Sequence, residues 1–279
     1  MKKIGFVDYF LNEWHADNYP QWIVDKNRDF KVCYAYGEID REGIATNDEW
    51  CKTHGVERCD TIEELCEKSD YIVILSPDNS EQHLKYAEKV LPFGKPTYID
   101  KTFAPTVADA ENIFELSHRY NCPICSTSAL RYAEELENLS NVENMISVGG
   151  GLTYDIYAIH QIEMIVCLMG PNVKRIMAVQ NAQTINLVFE FEGGKRASFV
   201  QNVHCYDIPF FLLTEHTNVG GTRYTQINSQ FFQKFIDGML DFFDTGKLMA
   251  TEDETLAVIR LIEKGNVALK NLDKWIEVN

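Results

Sequence analysis

Short apolar runs alternate with amphipathic stretches through the first half of the chain. Lys3-Ile4-Gly5-Phe6-Val7-Asp8, Phe30 to Tyr36, Tyr71 to Leu75, Pro96 to Asp100 and Pro123 to Ser126 read as strands. The run Tyr71-Ile72-Val73-Ile74-Leu75 is apolar at every position, which fits a parallel strand covered on both faces. Helices are predicted between these runs. One carries Trp22, Ile23 and Val24 with Pro20 in its first turn, where a missing N–H costs nothing. Others run from Asn47 to His54, from Thr61 (a cap, with Glu64 three residues on) to Cys66, from Leu84 to a stop at Gly94, and from Val107 to Tyr120. Strands alternating with helices predict an α/β fold built on a doubly wound parallel sheet.

The pattern changes after residue 125. Ala129 to Leu139 and Ala158 to Met169 read as helices, and Met145 to Ser147 as a strand leading into Gly149-Gly150-Gly151, a backbone that needs freedom or close approach. Ile185 to Phe191, a turn at Gly193-Gly194, Ala197 to Val203 and Phe210 to Thr214 have hairpin-like spacing, and Phe231 to Phe243 and Glu252 to Leu272 are closing helices. Two domains are expected: residues 1–125 with the parallel sheet, and residues 126–279 as an α+β domain with a mainly antiparallel sheet. A sheet with one uncovered face favours a homo-oligomer.

Composition narrows the function. The 279 residues carry a net charge of −16, which argues against a nucleic-acid partner. No apolar run approaches the roughly 20 residues of a membrane span, and Asp8 soon after Lys2-Lys3 spoils a signal-peptide core, so a cytoplasmic protein is expected. The eight cysteines are then reduced thiols. Cys122-Pro-Ile-Cys125 has redox or zinc spacing but lacks a second pair, so no metal site is expected.

The candidate chemistry begins at Lys101, which stands at the carboxyl end of a predicted strand, the edge where open α/β sheets bind ligands. The stretch Asp70 to Thr106, with Pro77, His83, Gly94-Lys95 and Asp100-Lys101-Thr102, resembles the lysine-bearing segment of the Gfo/Idh/MocA oxidoreductases. Gly149-Gly150-Gly151, His160-Gln-Ile-Glu163 and Met169-Gly170 are similar to that family's later glycine and histidine motifs. The resemblance covers nearly the whole chain, although the chain is short for the family. It implies a Rossmann-type domain binding NAD or NADP, and hydride transfer to or from a sugar- or polyol-like alcohol. Lys101 and His160 would then flank the substrate carbon as the acid/base pair, because an alcohol losing hydride must also lose its proton. Asp155 and Glu163 are the candidate assistants of His160. Asp8, Phe10, Glu38, Ser76, Pro77, His83 and Asp100 fall on the cofactor side.

The departures from the family are specific. The aspartate that often assists the base four residues before the histidine is Ile156 here, with Asp155 one residue off, and Thr102 replaces the family proline. Where dinucleotide binders carry G-x-G-x-x-G, this chain has Asp8, Phe10 and Glu13, whose side chains obstruct a pyrophosphate and whose carboxylates repel it. The acid that would hold a ribose is replaced by Tyr36, with Glu38 nearest. Residues 14–19 (Trp14-His15-Ala16-Asp17-Asn18-Tyr19) read either as a rebuilt binding surface or as a packed loop. Two alternatives to the dehydrogenase follow: a ligand-binding or regulatory relative that no longer binds dinucleotide, and a lyase or glycosidase that retains its cofactor.

Overall fold

The computed structural model describes residues 1–216 and 221–278. The chain divides into two compact units, Met1–Thr127 with Ile236–Glu252, and Ser128–Phe235 with Asp253–Asn279. The sequence places a single boundary at 125; in the fold, residues 236–252 group with the first unit.

The first unit alternates β1 (Lys2–Asp8), α1 (Trp14–Asp25), β2 (Phe30–Gly37), α2 (Asn47–His54), β3 (Glu57–Arg58), α3 (Ile62–Lys68), β4 (Tyr71–Ile74), α4 (His83–Val90), β5 (Thr97–Ile99), α5 (Val107–Tyr120) and β6 (Ile124–Cys125). The strands form one parallel sheet in the order β3-β2-β1-β4-β5-β6. Ile4, Phe6 and Val7 of β1 and Ile72, Val73 and Ile74 of β4 are fully buried, which is why these strands lack polar alternation. The strand order reverses beside β1, so the carboxyl ends of β1 and β4 form the switch point at which such sheets bind ligands. The caps agree with the sequence: Thr61 Oγ1 accepts from Glu64 N at 3.1 Å, and Gly94 ends its helical turn at φ 65°.

One expectation fails in α1. The helix starts at Trp14, six positions ahead of Pro20, so the proline lies in the helix interior and not in its first turn. Tertiary anchoring outweighs a local cost of about 3 kcal/mol: His15, Ala16, Tyr19 and Ile23 bury one face of the helix, and Trp50 Nε1 donates to Asp17 at 2.8 Å.

The second unit contains β7 (Val142–Gly151), α6 (Tyr154–Met169), β8 (Val173–Gln180), β9 (Thr184–Phe191), β10 (Arg196–Val203), β11 (Phe211–His216), β12 (Gly221–Gln226), most of α8 (Glu252–Leu269) and β13 (Trp275–Glu277); α7 (Phe231–Thr245) passes from this unit to the first. The sheet order is β12-β11-β7-β10-β9-β8-β13, antiparallel except for the β7–β10 pair. Strands β8, β12 and β13 have no counterpart in the sequence reading. The helix expected from Ala129 to Leu139 is instead two single 3-10 turns, Ala129–Tyr132 and Glu134–Leu136, because Ala133 between them is extended at ψ 129°. The triple glycine is explained by close approach: a Cβ on Gly150 would stand 2.0 Å from the Cys205 carbonyl oxygen. Across the sheet the register aligns Tyr224, Leu213, Ile146, Ser198, Val188 and Met177 in one row, and Tyr224, Leu213 and Ile146 of it are exposed.

All eight cysteines are free. Cys122 and Cys125 are buried, and burial pushes the Cys122 thiol up to about 11, so this spacing carries inert core thiols. Among the described residues no cluster of three or more His, Cys, Asp or Glu could hold a metal ion, and no helix is long and apolar enough to cross a membrane.

Candidate functional site

Lys101 stands where the sequence puts it. Strand β5 ends at Ile99, Asp100 N donates to Ile74 O at 2.9 Å, and the partly buried Lys101 reaches the Pro77 carbonyl beyond β4 with Nζ at 3.3 Å. The Lys101–Thr102 peptide is cis although Thr replaces proline. Next to it Asp100 is fully buried, accepting from Tyr98 OH at 3.2 Å and sharing a hydrogen bond with His15 Nδ1. Burial opposes its charge, yet the His15 ring and Lys101 together hold its carboxyl below the usual range. Asp100 is therefore an ionised residue spent on fixing His15. The stretch 14–19 opens helix α1, with the His15 ring stacked on Tyr19 at 5.1 Å, His15 and Tyr19 buried, and Trp14 and Asp17 exposed.

The first turn has been rebuilt around carboxylates. Asp8 is buried at the end of β1; its Oδ1 accepts from Tyr9 N at 2.7 Å and from Ser76 Oγ at 3.1 Å, while Oδ2 is buried with no hydrogen-bond partner. Burial pushes this carboxyl up to about 8, so it is neutral near pH 7. Glu13 is the N-cap of α1, accepting from His15 N at 2.8 Å and Ala16 N at 2.5 Å, one on each oxygen. Burial and the neighbouring Asp8 push Glu13 up as well, to about 8, against the pull of those two N–H groups. No residue from Asp8 to Glu13 takes a positive φ, so this path has no need of the missing glycines. Leu11 is fully buried, and its N–H donates to Asn47 Oδ1 at 2.8 Å.

A pyrophosphate does not fit this turn as folded. Its usual seat is the set of free N–H groups at the start of the first helix, and two of those are already bound to Glu13. The ribose-side acid is also engaged: Glu38 accepts from Lys85 Nζ at 2.5 Å and Tyr86 OH at 2.9 Å, and the Lys85 bond holds its carboxyl below the usual range. Phe10 lies under the Arg41 guanidinium at 5.0 Å. Ser76, at φ 66°, serves the Asp8 network. His83 is fully buried, its ring bridging the carbonyls of Leu75 (2.6 Å) and Phe103 (3.0 Å), so it fastens the end of β4 to the lysine loop.

In the second unit His160 lies on α6, four residues after Ile156. Its Nδ1 shares a 2.9 Å hydrogen bond with Ser128 Oγ, and its ring meets Tyr157 and Phe210 edge-on. Neither expected assistant is that Nδ1 partner. Asp155 is exposed, bound by Asn266 Nδ2 at 2.5 Å; it is five residues from His160 and so about 140° away around the helix. Glu163 is buried and bound to Arg131 Nη1 at 2.8 Å, and Arg131 Nη2 also binds Glu254 at 2.6 Å. Burial raises the Glu163 carboxyl despite that partner. Sequence reasoning therefore missed Ser128, Arg131, the Asp100–His15 bond and the capping role of Glu13. Glu is not a favoured N-cap, so only its place directly before a helical pattern could have signalled the last.

Residues 23–128 match the Gfo/Idh/MocA oxidoreductase family, described as having an NAD-binding Rossmann fold. Among curated proteins no sequence match was found. Among solved structures, GenD2 from gentamicin A biosynthesis, in complex with NAD, superposes with a TM-score of 0.82 at 12% identity over 100% of this chain and 97% of its own. An oxidoreductase from Thermotoga maritima gives 0.79 at 14% identity, covering 99% and 98%. UDP-N-acetylglucosamine 3-dehydrogenase from Acidithiobacillus ferrooxidans gives 0.77 at 10%, covering 95% and 97%. At these identities the superpositions speak for the fold, and they agree with its two sheets. The family match begins at residue 23, after the Asp8–Glu13 turn. The similarity to the Gfo/Idh/MocA oxidoreductase family thus extends over residues 23–128 and leaves out the Asp8–Glu13 turn that precedes them.

Proposed function

We propose that this protein is an NAD(P)-dependent oxidoreductase acting on a hydroxyl group of a sugar- or polyol-like small molecule. The observation that carries the reading is Lys101: an ammonium at the carboxyl end of β5, braced on the Pro77 carbonyl beside a buried ionised Asp100. An ammonium so placed stabilises the alkoxide that develops as hydride leaves carbon. His160, turned by Ser128 on Nδ1, serves as the acid/base that takes or returns the hydroxyl proton. Asp155 and Glu163 act on the surroundings of α6, with Glu163 setting the position of Arg131. The nicotinamide dinucleotide would supply the hydride acceptor. The family description and the NAD complex of GenD2 support that assignment; the Asp8–Glu13 turn speaks against it.

That turn favours a second reading, in which the same fold holds a carbohydrate-like ligand without dinucleotide and acts as a binding or regulatory protein. A single assay separates the two. The protein is incubated with NAD or NADP and a panel of sugars and polyols while nicotinamide absorbance is followed. The dehydrogenase reading expects reduction with at least one substrate, falling about 100-fold or more in His160→Ala. Ligand binding by the wild type with no absorbance change across the panel favours the second reading, and product formation without net absorbance change indicates a lyase or glycosidase that retains its cofactor.

A further inference from the structure

The anion seat at the start of α1 already has an occupant. Glu13 places one carboxylate oxygen on each of two adjacent N–H groups, His15 N and Ala16 N, which is the contact a phosphate would make there. Asp8, on the same turn, carries a buried oxygen with no hydrogen-bond partner. The backbone is fastened in this arrangement by Asn47 on Leu11 N, by Glu38 N on Asp8 O at 3.1 Å and by Ile39 N on Tyr9 O at 2.9 Å. The turn is therefore complete without a ligand. Two N–H groups at the start of α1 are thus taken by the chain's own side chain.

We infer that Glu13 is a built-in competitor for the dinucleotide pyrophosphate, so that a phosphate-bearing ligand gains the α1 N-terminus only by displacing this side chain. The inference rests on the cofactor assignment above, and it deepens it by naming the residue that limits affinity. Displacement breaks no backbone contact. Glu13 is the last residue before the helix, its backbone is extended at φ −138°, and rotation of the side chain alone frees both N–H groups. The side chain occupies the same two N–H groups that a phosphate would take, so ligand and side chain compete for one seat. Apparent affinity is then the intrinsic affinity reduced by the fraction of time that the seat is open.

The neighbouring Trp14 gives the test a local reporter, being exposed and directly next to the cap. Wild type, Glu13→Ser, Glu13→Gln and Glu13→Asp are titrated with NADH, with NADPH and with ADP, reading tryptophan quenching and the shift in melting temperature. Ser keeps a capping oxygen and Gln keeps the length, whereas Asp keeps a capping carboxylate and controls for folding. The inference expects Ser and Gln to tighten NADH and ADP binding by about tenfold or more, with Asp staying within a few-fold of wild type. If wild type binds NADH and neither variant binds more tightly, the competitor role is overturned and the cofactor assignment stands. Binding confined to the Ser and Gln variants upholds the competitor role and removes the dinucleotide from the native chain. Failure of every form to bind at millimolar ligand overturns both.

Discussion

Asp8 is the residue whose chemistry is easiest to isolate. Its carboxyl is raised from 3.8 to about 8 by burial, so between those values the folded chain holds a proton that the unfolded chain has lost. The unfolded state then binds fewer protons, and stability falls as pH rises through that window, by up to about 1.4 kcal/mol per pH unit for a single site. Asp8→Asn keeps an acceptor for Tyr9 N and Ser76 Oγ while removing the ionisation. Urea denaturation from pH 5 to pH 9 is expected to show a flatter stability profile for Asp8→Asn, with the variant the more stable at the alkaline end. Parallel profiles would mean that Asp8 ionises freely in the folded chain. This is also the residue where sequence legibility ends. The sequence marks Asp8, Phe10 and Glu13 as intruders in a phosphate turn. It gives no sign that Glu13 bonds the helix N–H groups in place of a ligand, because that depends on one side-chain rotamer.

Among the elements, those that repeat a local pattern were legible. Helices α2, α3 and α5 lie close to where capping residues and apolar spacing put them, and β4 follows from its unbroken apolar run. The misses have tertiary causes. Helix α1 runs through Pro20 because its buried face outweighs propensity, and β13 at the sheet edge is only Trp275–Glu277, too short to show a period. Glu163 follows His160 by three residues on one helix and is a candidate assistant by resemblance, whereas its ion-pair partner Arg131 comes from a distant segment that periodicity cannot reach. That pair carries its own prediction. Arg131 is mostly buried between Glu163 and Glu254, so Arg131→Met strands a buried carboxylate and is expected to lower stability by about 3–5 kcal/mol. The double variant Arg131→Met, Glu163→Met should recover much of that loss in chemical denaturation. Equal stability of Arg131→Met and wild type would show that the pair carries no structural load.

For the whole molecule, the two sheets and the family match over residues 23–128 fix the fold, and function turns on assembly and chemistry. The exposed row through Tyr224, Leu213 and Ile146 presents apolar side chains from three adjacent strands, the kind of surface that a second copy covers. Light scattering is expected to report a dimer or larger species that Leu213→Lys shifts toward monomer; a wild-type monomer at all concentrations would contradict this. The claim on which the account most depends is that Lys101 acts on the substrate and is not a bystander at the sheet edge. It is tested most directly by steady-state kinetics of Lys101→Ala with the best substrate of the panel, alongside its NADH affinity. The account predicts a fall in kcat/KM of about 100-fold or more with cofactor affinity held within a few-fold. Turnover equal to wild type in that variant would contradict it.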